Sequence, residues 1–278
     1  MILVHYTPDG LKRISDLHDI FYKRTCILVG GAPSLKEQPI ELLNTRGLLI
    51  GAINNAAIHV KPSLWFSGDH PDCYDPYILK DPSILKLAPI AYSKHKVLSD
   101  KYRQLPNMFF YTQASNTPWD EFLNRKSEIP WYSNTIMVAI HALYMLGIRR
   151  IILAGSDFGF SKDGDMYAHK TALGSLEKKW NMDLYNSLVM ELRMLKPIFD
   201  KANLELLDSS KYSRLAQVYR HITLEEAVEL ALKDFPSTPV DPATLPHCSK
   251  FASIDIKKAI AGWPNHSKET KRVEESYY

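Results

Sequence analysis

His169 is the side chain in this sequence that is best suited to acid–base chemistry. It closes the polar loop Phe158–His169, which follows a predicted core strand, Arg150–Asp157. An imidazole exchanges protons near neutral pH, and catalytic groups gather beyond strand ends in parallel α/β sheets. The same position also suits a surface histidine with no catalytic role. His70, beside the end of another predicted strand, is the next candidate base.

A glycine turn offers a second kind of chemistry, the binding of an anion. Gly30 and Gly31 follow the apolar residues 26–29, and the chain then turns toward a predicted helix over 38–44. Glycine lets the backbone approach a ligand closely, and free N–H groups at a helix N-terminus favour negative charge. Ser34 suits an N-cap or a hydroxyl donor to phosphate. A tight turn without a ligand has the same pattern, which is neither Gly-x-Gly-x-x-Gly nor a Walker loop.

Small and polar residues follow three apolar runs in the first quarter of the chain. The first run ends at Gly31, the second at Asn54 and Asn55, and the third at Asp69. Buried runs of this kind indicate a parallel sheet, in which ligands bind beyond the carboxyl ends of the strands. The common placement predicts one ligand site more strongly than any single residue does.

A strongly apolar helix is predicted to begin near Asn134 and to end at Gly147. Ser133 or Asn134 caps it, and Thr135 adds a hydroxyl to the polar cluster at its start. His141 lies inside this apolar stretch, so we interpret it as a packed core histidine.

Serines follow a further predicted strand, Leu204–Asp208. Ser210 faces a ligand in one interpretation and belongs to a plain turn in the other. The order of elements predicts an α/β fold with a Rossmann-like, doubly wound, mainly parallel sheet, a lid-like insertion and a C-terminal appendage.

Other helices and the domain limits follow from periodicity and turn residues. Helices are predicted over Asp9–Tyr22, over Leu176–Ala202 with Pro197 kinking or breaking it, and over Thr223–Lys233 with a capping box at Thr223 and Glu226. Residues 1–235 form the predicted main domain. Within it, 71–130 are irregular and a candidate lid, with 118–130 as a mobile loop and short strands near 89–93 and 107–112. Residues 236–278 form a proline-rich linker and an appendage.

Composition narrows the class of protein. The 278 residues suffice for one large domain with an appendage, and a net charge of +3 is too small to indicate a nucleic-acid partner. The three cysteines show no paired spacing, which favours a reduced, cytoplasmic protein. We find no leader peptide and no apolar run that would span a bilayer.

The motifs, taken together, resemble those of a known group of transferases. Gly30–Leu35 resembles the Gly-x-Gly-Pro-Ser-Leu signature of the motility-associated-factor (Maf) flagellin glycosyltransferases and of small bacterial sialyltransferases that use CMP-sialic acid, with Ala32 in place of the second glycine. The further stretches that match in order are Ala52–Ala56, Lys61–Asp69, Asn134–Thr135 with its helix, Gly155–Phe158 and Tyr167–His169. The resemblance covers roughly residues 25–215.

This resemblance implies a Rossmann-like enzyme that moves a sugar, such as a nonulosonic acid, from a CMP-type donor to an acceptor hydroxyl. It implies no metal and no cofactor, with Tyr167 assisting the departing phosphate and His169 as the base. The candidate donor-binding residues are Gly30, Gly31, Ala32, Ser34, Asn54, Asn55, Asp69, Asn134, Thr135, Gly155, Asp157 and Ser210. The acceptor is open between glycan, protein, lipid and modified base, and so is assembly into a homo-oligomer.

Two alternatives remain at this point. The archaeal-type 6-hydroxymethylpterin pyrophosphokinases share the glycine signature and the acid after a strand, and their chemistry would use ATP and Mg²⁺ with Asp69 and Asp157 as ligands. A nucleotide-sugar-binding protein without catalysis is the other alternative. Metal dependence separates the two enzymes, and hydrolysis of the donor separates an enzyme from a binding protein.

Overall fold

Ten strands form one sheet in the part of the chain that the structure describes. This computed structural model describes residues 1–6, 11–69, 73–93, 105–114, 117–124, 128–130, 134–169 and 174–234. The strands are β1 (Ile2–Tyr6), β2 (Lys12–Asp16), β3 (Thr25–Val29), β4 (Ile50–Ile53), β5 (Leu64–Phe66), β6 (Leu85–Pro89), β7 (Met108–Ala114), β8 (Glu128–Pro130), β9 (Arg150–Ala154) and β10 (Glu205–Asp208). His70, Ser133, the linker and the appendage over 236–278 lie outside the described residues.

The order of the strands confirms the predicted fold class. It is β10-β9-β3-β4-β5-β6-β7-β1-β2, with β8 also paired to β7. Neighbours from β10 to β7 run parallel, and so do β7 and β8. The chain winds from β3 outward to β7 and later returns to β9, on the other side of β3. The sheet is therefore doubly wound, mainly parallel and Rossmann-like.

The N-terminal region forms an antiparallel pair of strands, so the helix predicted over Asp9–Tyr22 is wrong. β1 pairs with β2 and also with the edge of β7. The apolar residues that indicated a helical stripe point to different environments, because Leu17 is buried whereas Ile14 is 72% exposed. Pairing of β2 with β1, which in turn pairs with β7, satisfies backbone N–H and C=O groups at the edge of the sheet, and this outweighs a short local helical pattern.

The central strands are buried on both faces. In β3, Cys26 and Leu28 belong to one core cluster, whereas Ile27 and Val29 belong to the other. The residues of β9 divide between the same two clusters. Two-sided burial explains why these strands read as continuous apolar runs in the sequence instead of alternating patterns.

Helices cover both faces of the sheet. They are α1 (Pro76–Lys80), α2 (Ile90–Ser93), α3 (Thr135–Met145), α4 (Ser175–Lys201) and α5 (Leu224–Lys233). Residues of α3 and α4 pack in the cluster that contains Cys26, and residues of α1 and α5 pack in the cluster that contains Ile27. The described residues therefore form three layers around one sheet.

Hydrogen bonds confirm the predicted starts of two helices. The Asn134 side chain accepts from the Ile136 N–H at 2.8 Å at the start of α3, and Thr223 and Glu226 form the capping box of α5. His141, inside α3, is fully buried with its Nδ1 2.6 Å from a backbone oxygen, as expected for a core histidine.

The longest helix, α4, contains 27 residues and runs through Pro197 without breaking. Pro197 lies close to its C-terminal end, where the missing N–H removes a single bond of the helical ladder. No helix in the described ranges is both long and apolar enough to cross a bilayer.

Two local predictions differ from the structure around prolines. The segment after the glycine turn forms 3-10 helices over Pro33–Glu37 and Ile40–Asn44 instead of one α-helix over 38–44. Pro39, between them, has no N–H with which to continue an α-helical ladder. The strand predicted over 89–93 ends at Pro89, where α2 takes over, because proline cannot donate within a sheet.

The range 71–130, predicted to be irregular, contributes β6, β7 and β8 to the sheet. The strand predicted over 107–112 is confirmed as β7. Within the loop predicted over 118–130, Phe122 is fully buried and its ring lies 5.9 Å from that of Phe199 in α4. Residues 94–104 are outside the described ranges.

Lys86 in β6 is fully buried, which is unusual for an ammonium group. Its Nζ donates to the carbonyl oxygens of Asp81 at 2.7 Å, Ile84 at 2.8 Å and Pro106 at 2.7 Å. These three bonds match the three donors of an ammonium group. They join the turn before β6 to the turn before β7 and so hold the starts of two neighbouring strands.

We expect Lys86→Met to lower the free energy of unfolding by about 2–4 kcal/mol, because three carbonyl oxygens lose their donor. Denaturant unfolding monitored by circular dichroism measures the change. The control is Lys80→Met at the exposed end of α1, for which we expect a change below about 0.5 kcal/mol. Equal stability of the Lys86→Met variant and the parent would contradict this role.

Candidate functional site

The residues that follow β3 and β9 lie where the winding of the sheet changes direction. The chain leaves β3 toward β4 on one side, and β9 pairs with β3 on the other. Ligands of doubly wound sheets bind beyond the carboxyl ends of the strands at this point. We call this region, which contains Gly30–Gly31 and Gly155–Asp157, the switch-point site.

Gly30 and Gly155 lie where the backbone leaves no room for a side chain. A Cβ at Gly30 would lie 2.5 Å from the Gly155 carbonyl oxygen and 2.8 Å from the Ser156 hydroxyl. Gly155 itself has a φ of +58°, which side chains rarely adopt. These glycines let the ends of β3 and β9 approach each other.

Gly31 differs from its neighbour, because a Cβ there would meet only the Tyr167 ring, at 3.9 Å. The N–H groups on either side are used within the protein: Gly30 donates to Ala154 at 2.8 Å and Ala32 donates to Gly155 at 2.9 Å. Among the described residues the Gly31 N–H has no partner. The glycine turn therefore offers one backbone donor to a ligand, in a place with room for one.

Ser34 and Asp157, both predicted to face the donor, bind each other. The Ser34 N–H donates to Asp157 Oδ2 at 3.0 Å, and the Ser34 hydroxyl donates to Asp157 Oδ1. Both side chains are buried. Burial raises the pKa of Asp157, and the two hydrogen bonds from Ser34 oppose that rise. The structure places this pair beneath the glycine turn, as a tie between the segments that follow β3 and β9.

Ser210 is also buried and holds neighbouring backbone. Its hydroxyl accepts from the Ser156 N–H at 2.8 Å, and its own N–H donates to Asp208 Oδ1 at 3.1 Å. Its observed partners join the segments after β9 and β10 to each other.

Asn54 and Thr135, both candidate donor-binding residues, lie next to each other. Asn54 Nδ2 lies 3.4 Å from the Thr135 hydroxyl, which links the end of β4 to the first turn of α3. Asn54 has a φ of +51°, and its Oδ1 is buried without a partner among the described residues. Asn134 uses its side-chain oxygen as the cap of α3, and Asn55 is half-buried beside Asn54.

The loop that carries Tyr167 and His169 is attached to the glycine turn. The Ala168 N–H donates to the Gly31 carbonyl at 2.8 Å. The two rings stack, with centroids 5.1 Å apart and planes 13° from parallel. The structure therefore brings both predicted catalytic residues to the one glycine that remains open.

The environment sets the protonation of this pair. Burial, and then the Lys36 charge, lower the pKa of His169, so its imidazole is neutral at neutral pH. Burial, and then the Asp69 charge, raise the pKa of Tyr167, so its phenol stays protonated. A neutral base and a neutral hydroxyl donor are thus side by side.

Asp69 lies in a loop that tyrosines hold in place. Tyr74 donates to Asp69 Oδ2 at 3.1 Å, Tyr92 to the Gly68 carbonyl at 2.9 Å, and Tyr111 to the Ser67 carbonyl at 2.9 Å. The tyrosines come from different parts of the chain, so motif spacing did not reveal them. They fix the segment after β5 beside Tyr167.

His59 is a further residue that the sequence reasoning did not single out. Its ring centroid lies 6.2 Å from that of His169, with the planes tilted by 33°. It follows the 3-10 helix Asn54–Ile58, directly after a strand end that was already part of the predicted site. Its position five residues after Asn54 is the feature of the sequence that could have identified it as a site residue.

No protein-family model matches the chain, and no curated protein matches it. Among solved structures, the chain is similar to the sialyltransferase CstII from Campylobacter jejuni bound to a substrate analogue, cytidine-5'-monophosphate. The TM-score is 0.42 and the identity 16%, over 71% of this chain and 84% of that one. A structure of sialyltransferase CST-II with a trisaccharide acceptor and CMP also has a TM-score of 0.42 and 16% identity, over 70% and 85%. Similarity at this level assigns neither a family nor a substrate to this chain.

We expect Gly31→Val to leave the protein folded and to weaken nucleotide binding at least about tenfold, because a branched side chain would fill the space beside the free N–H. Calorimetric titration with CMP and thermal unfolding measure the two effects. Gly30→Ala should behave oppositely and lower the unfolding temperature, since its Cβ would overlap the Gly155 carbonyl. Unchanged CMP affinity in Gly31→Val would contradict this assignment.

Proposed function

We propose that this chain is a glycosyltransferase that moves a sugar, such as a nonulosonic acid, from a CMP-type donor to an acceptor hydroxyl. The observation that carries the proposal is the stacked Tyr167–His169 pair, attached through Ala168 to the open glycine of the turn. The ordered set of motifs from Gly30 to His169 supports the same function. Its acceptor and any assembly into oligomers remain outside the proposal.

His169 suits the role of general base. Its lowered pKa leaves a ring nitrogen free to take the proton of the acceptor hydroxyl. As that proton moves to His169, the acceptor oxygen bonds to the sugar carbon, and the bond from that carbon to the donor phosphate oxygen breaks. The bonding electrons leave with CMP.

Tyr167 and the Gly31 N–H suit the stabilisation of the departing phosphate. The Tyr167 hydroxyl has no hydrogen-bond partner among the described residues, and its raised pKa keeps the proton in place. Donors aimed at a developing negative charge stabilise the transition state more than the ground state. Thr135 and Asn54, at the next strand end, are placed to hold another part of the donor.

The magnesium-dependent pyrophosphokinase alternative would need Asp69 and Asp157 as metal ligands. Both Asp157 oxygens already accept hydrogen bonds from Ser34, and one Asp69 oxygen accepts from Tyr74. Direct coordination would have to replace or share these bonds. The observed contacts therefore favour sugar transfer, for which the proposal includes no metal and no cofactor.

We expect CMP to raise the unfolding temperature more than UDP, GDP or ATP does, and to do so equally in EDTA and in Mg²⁺. The reason is that hydroxyl and N–H donors, not a metal ion, bind the phosphate in this proposal. A thermal-shift screen of the four nucleotides under both conditions checks it. Stabilisation by ATP alone, with a strict need for Mg²⁺, would favour the pyrophosphokinase.

We expect His169→Ala to lower kcat by about 10²–10⁴-fold with little change in donor Kd, as for loss of a general base. For the parent, kcat/KM should fall on the acidic side with a midpoint below 6.5, because the pKa of His169 is lowered from that value. Tyr167→Phe should reduce kcat but keep this acidic limb. Full activity of His169→Ala, with the acidic side of the pH profile unchanged, would show that His169 has no catalytic role. His59 or His70 would then be the candidate base.

A further inference from the structure

His59, His169 and Lys36 form a cluster that the proposed mechanism uses only in part. The two rings come from opposite sides of the switch-point site, with centroids 6.2 Å apart. The backbone fixes both: the His59 N–H donates to the Ala56 carbonyl at 3.0 Å, and the residue before His169 is bonded to Gly31. Lys36 reaches the same region from the 3-10 helix Pro33–Glu37.

Each ring keeps one nitrogen without a partner. His59 Nε2 and His169 Nδ1 are buried, and among the described residues neither atom has a hydrogen-bond partner. A buried polar atom left unpaired is unfavourable, because it has lost its hydrogen bonds to water. Native proteins retain few such atoms, and those they retain are commonly satisfied by a ligand or by ordered water. Two of them on facing histidines indicate a group that both rings bind.

The charges around the rings indicate the sign of that group. Lys36 lowers the pKa of both histidines, and His169 also lowers that of His59, although burial is the larger cause for each. Of the carboxyl groups nearby, Asp69 acts on Tyr167, and Asp157 accepts two hydrogen bonds from Ser34. Glu37, next to Lys36, is paired with Lys211 at 2.8 Å. Lys36 is therefore the charge that acts on both neutral rings, and an anion would balance it.

We propose that His59, His169 and Lys36 form a subsite for one anionic group of the bound ligand, and that this anion brings one proton onto the histidine pair. The inference rests on the proposed function, because it assigns a charged group to the ligand of the same site. Two imidazolium rings 6.2 Å apart would repel each other, so the pair titrates as a unit and takes up a single proton. One neutral ring stays available as the base.

The test uses the full chain and inorganic phosphate as the probe. Calorimetric titration at pH 7 in two buffers of different ionisation enthalpy measures the protons taken up on binding. The same titration with sulfate, which does not itself titrate near pH 7, gives the share that the protein takes up. We expect an uptake approaching one proton, and an affinity that falls as pH rises, by at most about tenfold per pH unit. Binding without proton uptake, or no binding at all, would overturn the proposal.

Three variants distinguish a specific role of His59 in anion binding from a general effect of positive charge. His59→Gln keeps a polar side chain that does not titrate, and it should weaken phosphate binding about tenfold and remove most of the proton uptake. Lys36→Met, at an exposed position, should weaken binding about threefold and tests the subsite even if His59→Gln unfolds. His18→Gln, far along the chain and beside Asp19, is the control and should change neither. Unchanged binding in both site variants would contradict the subsite.

Three further ligands identify the source of the anion. CMP carries a phosphate, cytidine carries none, and free N-acetylneuraminate carries a carboxylate. Proton uptake with CMP but not with cytidine assigns the subsite to the phosphate, and uptake with N-acetylneuraminate assigns it to the carboxylate of the sugar. Uptake with inorganic phosphate alone, without any binding of CMP, would overturn the proposed donor while the subsite stands.

Discussion

The buried contact between Asp157 and Ser34 is the constraint on which the site depends. It joins the segment after β9 to the segment after β3, where the winding of the sheet changes direction. Burial raises the pKa of the carboxyl group, so two donors from one serine are needed to hold its charged form there. Gly30, packed against the Gly155 carbonyl, allows the approach that this contact requires. Gly31 next to this contact is left open, and its N–H has no partner within the ranges that the structure describes.

The chemistry of the site depends on that position. The Gly31 carbonyl accepts a hydrogen bond from the Ala168 N–H. Tyr167 and His169 are the neighbours of Ala168 in the chain, so this bond positions both of them. The two candidate catalytic side chains are therefore located by backbone hydrogen bonds more than by their own contacts. A polar side chain held in this way keeps its hydroxyl or ring nitrogen for a ligand, which a side chain used as a structural tie cannot do. Ser34 and Ser210 are examples of such ties.

The sequence predicts elements that have a clear hydrophobic pattern or a helix cap. It predicts less well the elements that form through contacts between distant segments of the chain. β3, β9 and α3 were predictable because each is a continuous apolar run with clear turn residues after it. The N-terminal strand pair was not, since it exists through pairing with β7. Strand ends predicted that Gly31, Asn54 and Asp69 follow strands of the parallel sheet, and they do. They did not show that Ser34 faces Asp157, or that His59 faces His169, because residues far apart in sequence make those contacts.

In the proposed function, the donor nucleotide binds over Gly31, between the ends of β3, β4 and β9. A crystal structure of the chain with CMP tests it most directly. The account predicts the phosphate within hydrogen-bonding distance of the Gly31 N–H and the Tyr167 hydroxyl, with the cytidine toward Asn54 and Thr135. Well-defined CMP bound elsewhere on the chain, with the space beside Gly31 occupied only by water, would contradict it.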